Sequence, residues 1–206
     1  MIKIYGSHTP MFLKVILAAE ELKLPYEVQL VDIMKGEQKS PDHLARHPFG
    51  KIPAIEHHGR FLFESNAIIR YLGTLASSQV YPSESWDRAE VDQWIDYFSL
   101  QAGRWCTSAW FEAYLKPTFL GSPTDEKRVA EFTEMLLEGM PTIDSHLSKS
   151  RYLAGNIFTL ADVNAFMLMR GFREAKLNLN DFPNVIKWHD EIVDRPTVKK
   201  VFAAWW

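Results

Sequence analysis

Apolar positions change their period several times along the first seventy-five residues. Residues 2–5 are a short β-rich run. A polar loop follows, and residues 11–22 are strongly apolar, with Lys14, Glu20 and Glu21 assigned to the wet side of a helix. Pro10 suits the first helical turn, where its missing N–H costs nothing. In residues 26–31, Tyr26, Val28 and Leu30 alternate as in a strand. Strand, helix, strand in this order implies a right-handed parallel crossover. Residues 34–47 are polar, with a short helix expected at 41–46. Residues 54–56 and 61–63 flank His57-His58-Gly59 and read as a hairpin, and residues 65–75 return to a helical period.

The stretch over residues 77–87 is small, polar and proline-containing, and reads as a linker. Everything beyond it is helical in pattern: an aromatic-rich helix over 88–116 ended by Pro117, a second over 125–149 containing Pro141, a third over 159–172, and shorter ones over 184–193 and 197–205. The expectation is a mixed four-stranded α/β domain over 1–76 and an all-α domain over 88–206.

Composition narrows the function. The chain has 206 residues, 47% of them hydrophobic and 24% charged, which is ordinary for a globular protein. A net charge of -3 with scattered Lys and Arg argues against nucleic-acid binding. No apolar run approaches the roughly 20 residues that span a bilayer, and the opening MIKIYGS reads as a strand, not as a signal peptide. A cytoplasmic protein is expected. The single cysteine, Cys106, can build neither a disulfide framework nor a cysteine-based metal site. Its setting in a long apolar helix points to a packed thiol. His57 and His58 are adjacent turn residues with no third ligand spaced for them, so no metal is expected.

The chemistry concentrates between Gly50 and Leu72. Pro53 opens a strand and keeps Ile52 extended. Glu64-Ser65 opens a helix, placing a negative charge and a hydroxyl beside unpaired amide donors. Together they suggest an edge for an extended peptide beside a corner for an ammonium group. A plain helix cap is the simpler reading of Glu64-Ser65 taken alone.

The three segments GEQKSPDHL (36–44), HPFGKIPAI (47–55) and LFESNAIIRYL (62–72), with YLAGNIFTLADVNAF (152–166) in the helical part, resemble the cytosolic glutathione transferases, in particular their phi-like, theta-related group. The resemblance covers essentially the whole chain. It implies a thioredoxin-like domain followed by a helical one, with glutathione as co-substrate and no further cofactor. Ile52, before a cis Pro53, would pair its backbone with the cysteinyl unit. Glu64 would accept the γ-glutamyl ammonium, and Ser65 with helix amides its carboxylate. Gln38, Lys39 and Lys51 would reach the glycyl carboxylate. Met11, Phe12, Trp105, Ser108 and Phe111 would line the site of a hydrophobic co-substrate. Thr159 and Asp162 stand three apart as in a capping box and do no chemistry. A homodimer is also implied, with Phe49 as an apolar contact.

At the catalytic position the chain departs from that pattern. The phi and theta groups place a serine six residues before a valine, and counting back from Val15 gives Thr9. Ser7 is the second candidate and Tyr5 a third, more simply read as core. A thiol of pKa near 8.5 must become thiolate near pH 7, a shift worth roughly 2.7 kcal/mol. One hydroxyl bond to the ion contributes about 1.5–3 kcal/mol and the helix N-terminus up to about 1. The thiolate would attack an electrophilic carbon or reduce a hydroperoxide. Two other functions use the same fold: a carrier of apolar ligands, which the threonine keeps open, and a docking module like that of elongation factor gamma subunits. Against docking stands the intact set Gln38-Lys39, Ile52-Pro53 and Glu64-Ser65.

Overall fold

The computed structural model describes residues 1–206. Its contacts divide into two units, Met1–Ser85 with Arg195–Trp206, and Trp86–Asp194. In the first unit, β1 (Ile2–Gly6), β2 (Tyr26–Leu30), β3 (Ala54–His57) and β4 (Arg60–Phe63) form one sheet in the order β2-β1-β3-β4. β1 and β2 are parallel, Ile4 opposite Val28. β3 is antiparallel to both its neighbours, Ile55 lying opposite Ile4 on one side and Leu62 on the other. This is the mixed four-stranded sheet that the sequence pattern predicts, and the thioredoxin-like one that the family resemblance implies.

Helix α1 (Pro10–Glu21) follows β1, α2 (Pro41–Arg46) precedes β3, and α3 (Ser65–Leu75) follows β4. The core consists of Ile4 and Ile55 from the sheet, Leu13, Ile16 and Leu17 from α1, and Ile68, Ile69 and Leu72 from α3, all buried.

Two expectations about α1 are corrected. Lys14 does not face water: it is 2% exposed. It shares a helix face with Glu21, but α1 packs against both α3 and the C-terminal helix α10 (Pro196–Trp205), so little of its surface stays wet. Phe12 is also fully buried, its ring edge-on to Trp205 at 5.8 Å, and so cannot line an open site. The helical domain was expected to run to residue 206. Instead α10 returns to the first unit, held by Arg195 on Glu21 at 2.8 Å, Lys200 on Glu20 at 2.7 Å, and the His8 Nδ1–H donated to the Trp205 carbonyl at 2.7 Å.

The second unit is all-helical: α4 (Ser85–Leu100, all but its first residue in this unit), α5 (Ala102–Trp110), a π turn (Phe111–Leu115), α6 (Lys116–Phe119), α7 (Glu126–Leu147), α8 (Leu160–Met169) and α9 (Pro183–Val193). The expected single helix over 88–116 is broken at Gln101, whose backbone sits at φ -123, ψ -112. In the turn before the break, Ser99 Oγ and Asn164 Nδ2 both donate to the Ile95 carbonyl, at 2.6 and 3.0 Å. Beyond the break, Gly103 lets α5 approach closely, since a Cβ there would lie 2.6 Å from the Phe98 carbonyl oxygen and 2.7 Å from the Leu168 Cβ. Pro117 does not end the helical region but occupies the first turn of α6. Pro141 lies within α7 on an exposed face, where the lost ladder donor is cheapest.

The capping box at α8 is present. Asp162 is fully buried and accepts from the Leu153 amide (3.0 Å), the Thr159 amide (3.0 Å), the Thr159 hydroxyl (3.2 Å) and Trp188 Nε1 (2.9 Å). No helix is long and apolar enough to cross a membrane.

His189 gives this unit an acid-sensitive point. It is 4% exposed, between Phe166 and Phe172, and burial pushes its pKa down to about 4 against the opposing pull of Asp190. The unfolded chain therefore takes up this proton first as pH falls. The contribution is present above about 6.5 and is lost as pH drops toward 4, by roughly 3 kcal/mol at most. Urea unfolding from pH 7 to 4 should show this slope in the wild type and a flatter one in His189→Phe.

Candidate active site

The site begins at the N-terminus of α1. Thr9 is the N-cap, with extended backbone, and its Oγ1 accepts the Phe12 amide at 3.4 Å. A capping hydroxyl accepts through a lone pair and keeps its own O–H to donate, so capping and thiolate stabilisation are compatible. The Thr9 amide is turned back onto the Ser7 carbonyl at 2.6 Å, which makes the loop tight. Ser7 and Thr9 are both half-buried. Tyr5 is different. Its hydroxyl donates to Glu56 Oε2 at 2.7 Å, Arg46 lies over its ring, and burial, with the Glu56 bond, raises its pKa. It belongs to the sheet, as the simpler reading held.

Across the sheet, the Ile52-Pro53 bond is cis and leads directly into β3. Pro53 is buried, while Ile52 is half-buried and packs against Tyr5, Val31 and Ala54. Lys39, Gly50 and Lys51 form one neighbourhood. Gly50, at φ +58, approaches so closely that a Cβ would lie 2.7 Å from Lys39 Cδ, and Lys39 Nζ donates to the Phe49 carbonyl at 3.0 Å. His43 Nε2 donates to the Lys51 carbonyl at 2.7 Å and fixes that strand entry. Gln38 Oε1 is buried with no hydrogen-bond partner in the protein. An amide turned end for end would present N–H donors at the same place.

The geometry at Glu64 is the clearest mark of a site. Glu64 has φ 68 and ψ 110, outside the left-handed well that non-glycine residues sometimes use. Such a conformation costs about 1–3 kcal/mol and clusters at functional positions. Plain capping does not account for it, because Glu64 is the N-cap of α3 and its side chain makes no capping bond. Glu64 is exposed at the head of an eleven-residue helix whose first amides have no partner within the helix. Ser65 Oγ donates to Met11 Sδ at 3.7 Å, linking the start of α3 to the start of α1.

Of the residues expected for a hydrophobic co-substrate, Met11 is half-buried beside Ser65 in the first unit. The others lie in the second unit. Trp105 stacks on Phe132 at 6.0 Å under Arg104, Ser108 is half-buried on α5, and Phe111 is 42% exposed at the start of the π turn. Cys106 between them is fully buried, and burial pushes its thiol pKa up to about 12. It is a packed thiol, not a nucleophile.

Sequence reading missed Lys14 and Asn66. Lys14 Nζ donates to Asn66 Oδ1 at 2.5 Å, from α1 to the second residue of α3. The one available signal was a lone lysine within an otherwise apolar helical run.

The family model for the glutathione S-transferase N-terminal domain matches residues 2–74, and that for the C-terminal domain residues 107–196. A probable glutathione S-transferase of rice (Oryza sativa subsp. japonica) is 33% identical, over 98% of this chain and 96% of its own. The crystal structure of glutathione transferase F2 from Populus trichocarpa superposes with a TM-score of 0.92 at 29% identity, covering 99% of this chain and 98% of that one. Glutathione S-transferase I from mais, in complex with an atrazine glutathione conjugate, gives 0.90 at 31% identity, covering 98% and 96%.

Proposed function

The chain belongs to the glutathione S-transferase family and is a glutathione transferase; on that premise we propose how its own residues carry the reaction. Glutathione lies extended beside β3. The Ile52 backbone pairs with its cysteinyl unit, and the Glu64 carboxylate takes the γ-glutamyl ammonium. Ser65 and the first amides of α3 take the γ-glutamyl carboxylate. Gln38, Lys39 and Lys51 take the glycyl carboxylate. Thr9 donates its hydroxyl to the sulfur, and the N-terminus of α1 favours the negative charge that forms there. The thiol proton leaves to solvent. The thiolate then forms a carbon–sulfur bond to the electrophile, whose leaving group departs with the displaced electron pair.

What supports this reading most is Glu64. An exposed carboxylate held in a costly backbone conformation, at a helix start that it does not cap, is explained by a cationic ligand with an anionic group beside it. The buried, unpartnered Oε1 of Gln38, next in sequence to Lys39, supports the other end. The co-substrate is hydrophobic and meets Met11, half-buried beside Ser65. A homodimer belongs to the same proposal: Phe49 stands 64% exposed, edge-on to Phe63, as an apolar knob would.

The test is conjugation of glutathione to a nitro-activated aryl halide. Glu64→Gln is expected to raise KM for glutathione about 10- to 100-fold, the loss of one charged hydrogen bond, with kcat at saturation changed only a few-fold. An unchanged KM would remove Glu64 from the site.

A further inference from the structure

Lys14 is the one buried cation of α1, and the reaction as described does not use it. We infer that Lys14 is a positioning residue for glutathione: its ammonium holds Asn66 at the start of α3, two residues after Glu64, so the γ-glutamyl corner is formed when Lys14 is charged. This rests on the glutathione reading above.

The geometry is specific. Lys14 is 2% exposed, and its Nζ lies 2.5 Å from Asn66 Oδ1. Asn66 follows Ser65 directly, and Ser65 is bonded to Met11, one helical turn before Lys14. The start of α3 is thus fastened to α1 by a cation and a serine. Among charged groups, Glu64 pulls the Lys14 pKa up and Arg70 pushes it down, but burial is the largest influence and brings it to about 7. The other charged groups near α1 are engaged elsewhere. Arg195 and Lys200 of α10 pair with Glu21 and Glu20 at the far end of the helix, and Lys3 and Tyr5 of β1 both meet Glu56. His47, which also feels Glu64, is buried too, and burial lowers its pKa. Lys14 therefore changes charge across the neutral range. Losing that charge turns a charge-assisted bond to Asn66 into a weaker neutral one and removes a positive charge that Glu64 feels.

The probe is S-methylglutathione, which has no thiol to titrate, measured by calorimetry from pH 6 to 8.5. Wild type is expected to weaken about tenfold, with a midpoint near 7, the scale of one partly screened charge interaction. Lys14→Arg, which keeps its charge, should hold the low-pH affinity throughout. Lys14→Met should bind weakly and without pH dependence. A pH step that persists in Lys14→Arg would belong to His47 or the ligand and overturn the inference. A flat, tight wild-type profile would overturn it too, while leaving the glutathione reading intact. No binding at any pH would overturn both. Should Lys14→Met fail to fold, Lys14→Arg against wild type decides alone.

Discussion

Thr9→Ala is expected to lower kcat for conjugation by about 10- to 100-fold and to raise the pKa of bound glutathione by about 1–2 units, with its affinity little changed. The magnitude is that of one hydroxyl bond to an ion, about 1.5–3 kcal/mol, present on the thiolate and absent on the thiol. The same substitution removes the α1 N-cap, since the Phe12 amide loses its acceptor, at a cost of about 0.5–2 kcal/mol in stability. Two further variants separate these effects. Thr9→Ser keeps both the cap and the donor, and should retain activity. Thr9→Asp keeps the cap but sets a carboxylate against the thiolate. It should be as stable as wild type in urea and nearly inactive at neutral pH. Stopped-assay kcat and urea midpoints on the three variants check the pattern. An active, stable Thr9→Ala would move the role to Ser7, two residues earlier in the same loop.

The second large effect is on stability, at Asp162. Its carboxylate is fully buried and receives donors from Leu153, Thr159 and Trp188, so it joins the turn before α8 to α8 itself and to α9. Burial pushes its pKa up, while these donors pull the other way. Asp162→Ala leaves the donors buried and unpaired. The expected loss is about 3–5 kcal/mol, a large share of the roughly 5–15 kcal/mol that keeps a domain folded. Asp162→Asn should cost less, because one oxygen remains to accept, although its N–H2 must now face a donor. Thr159→Ala, which removes one arm of the capping box, should cost about 1 kcal/mol. Far-UV unfolding curves rank the three. Near-equal midpoints would mean that the buried network contributes little.

The elements that build the site were largely legible in the chain. Alternation at Tyr26, Val28 and Leu30, the His57-His58-Gly59 turn and the helical period after Ser65 are local signals, and each element formed where its period placed it. The Ile52-Pro53 step and Glu64-Ser65 were visible as residue types. What no residue type reveals is the backbone at Glu64, which turns an apparent cap into an exposed carboxylate.

The misreadings share a cause in tertiary contact. Periodicity gives a helix only one dry face and so puts Lys14 in water, whereas α1 is covered by α3 and α10. Phe12 went from lining to core when Trp205 returned from the other end of the chain to cover it. In the turn before the break at Gln101, the Ile95 carbonyl is reached by Asn164, more than sixty residues away. A window of neighbouring residues contains none of these partners.

The most direct measurement is the ultraviolet absorbance of the thiolate when glutathione saturates the wild-type protein near pH 7. The account predicts a thiolate signal on binding that titrates with a pKa about two units below that of the free thiol. Bound glutathione whose thiol titrates at its free value would contradict it, whatever the affinity.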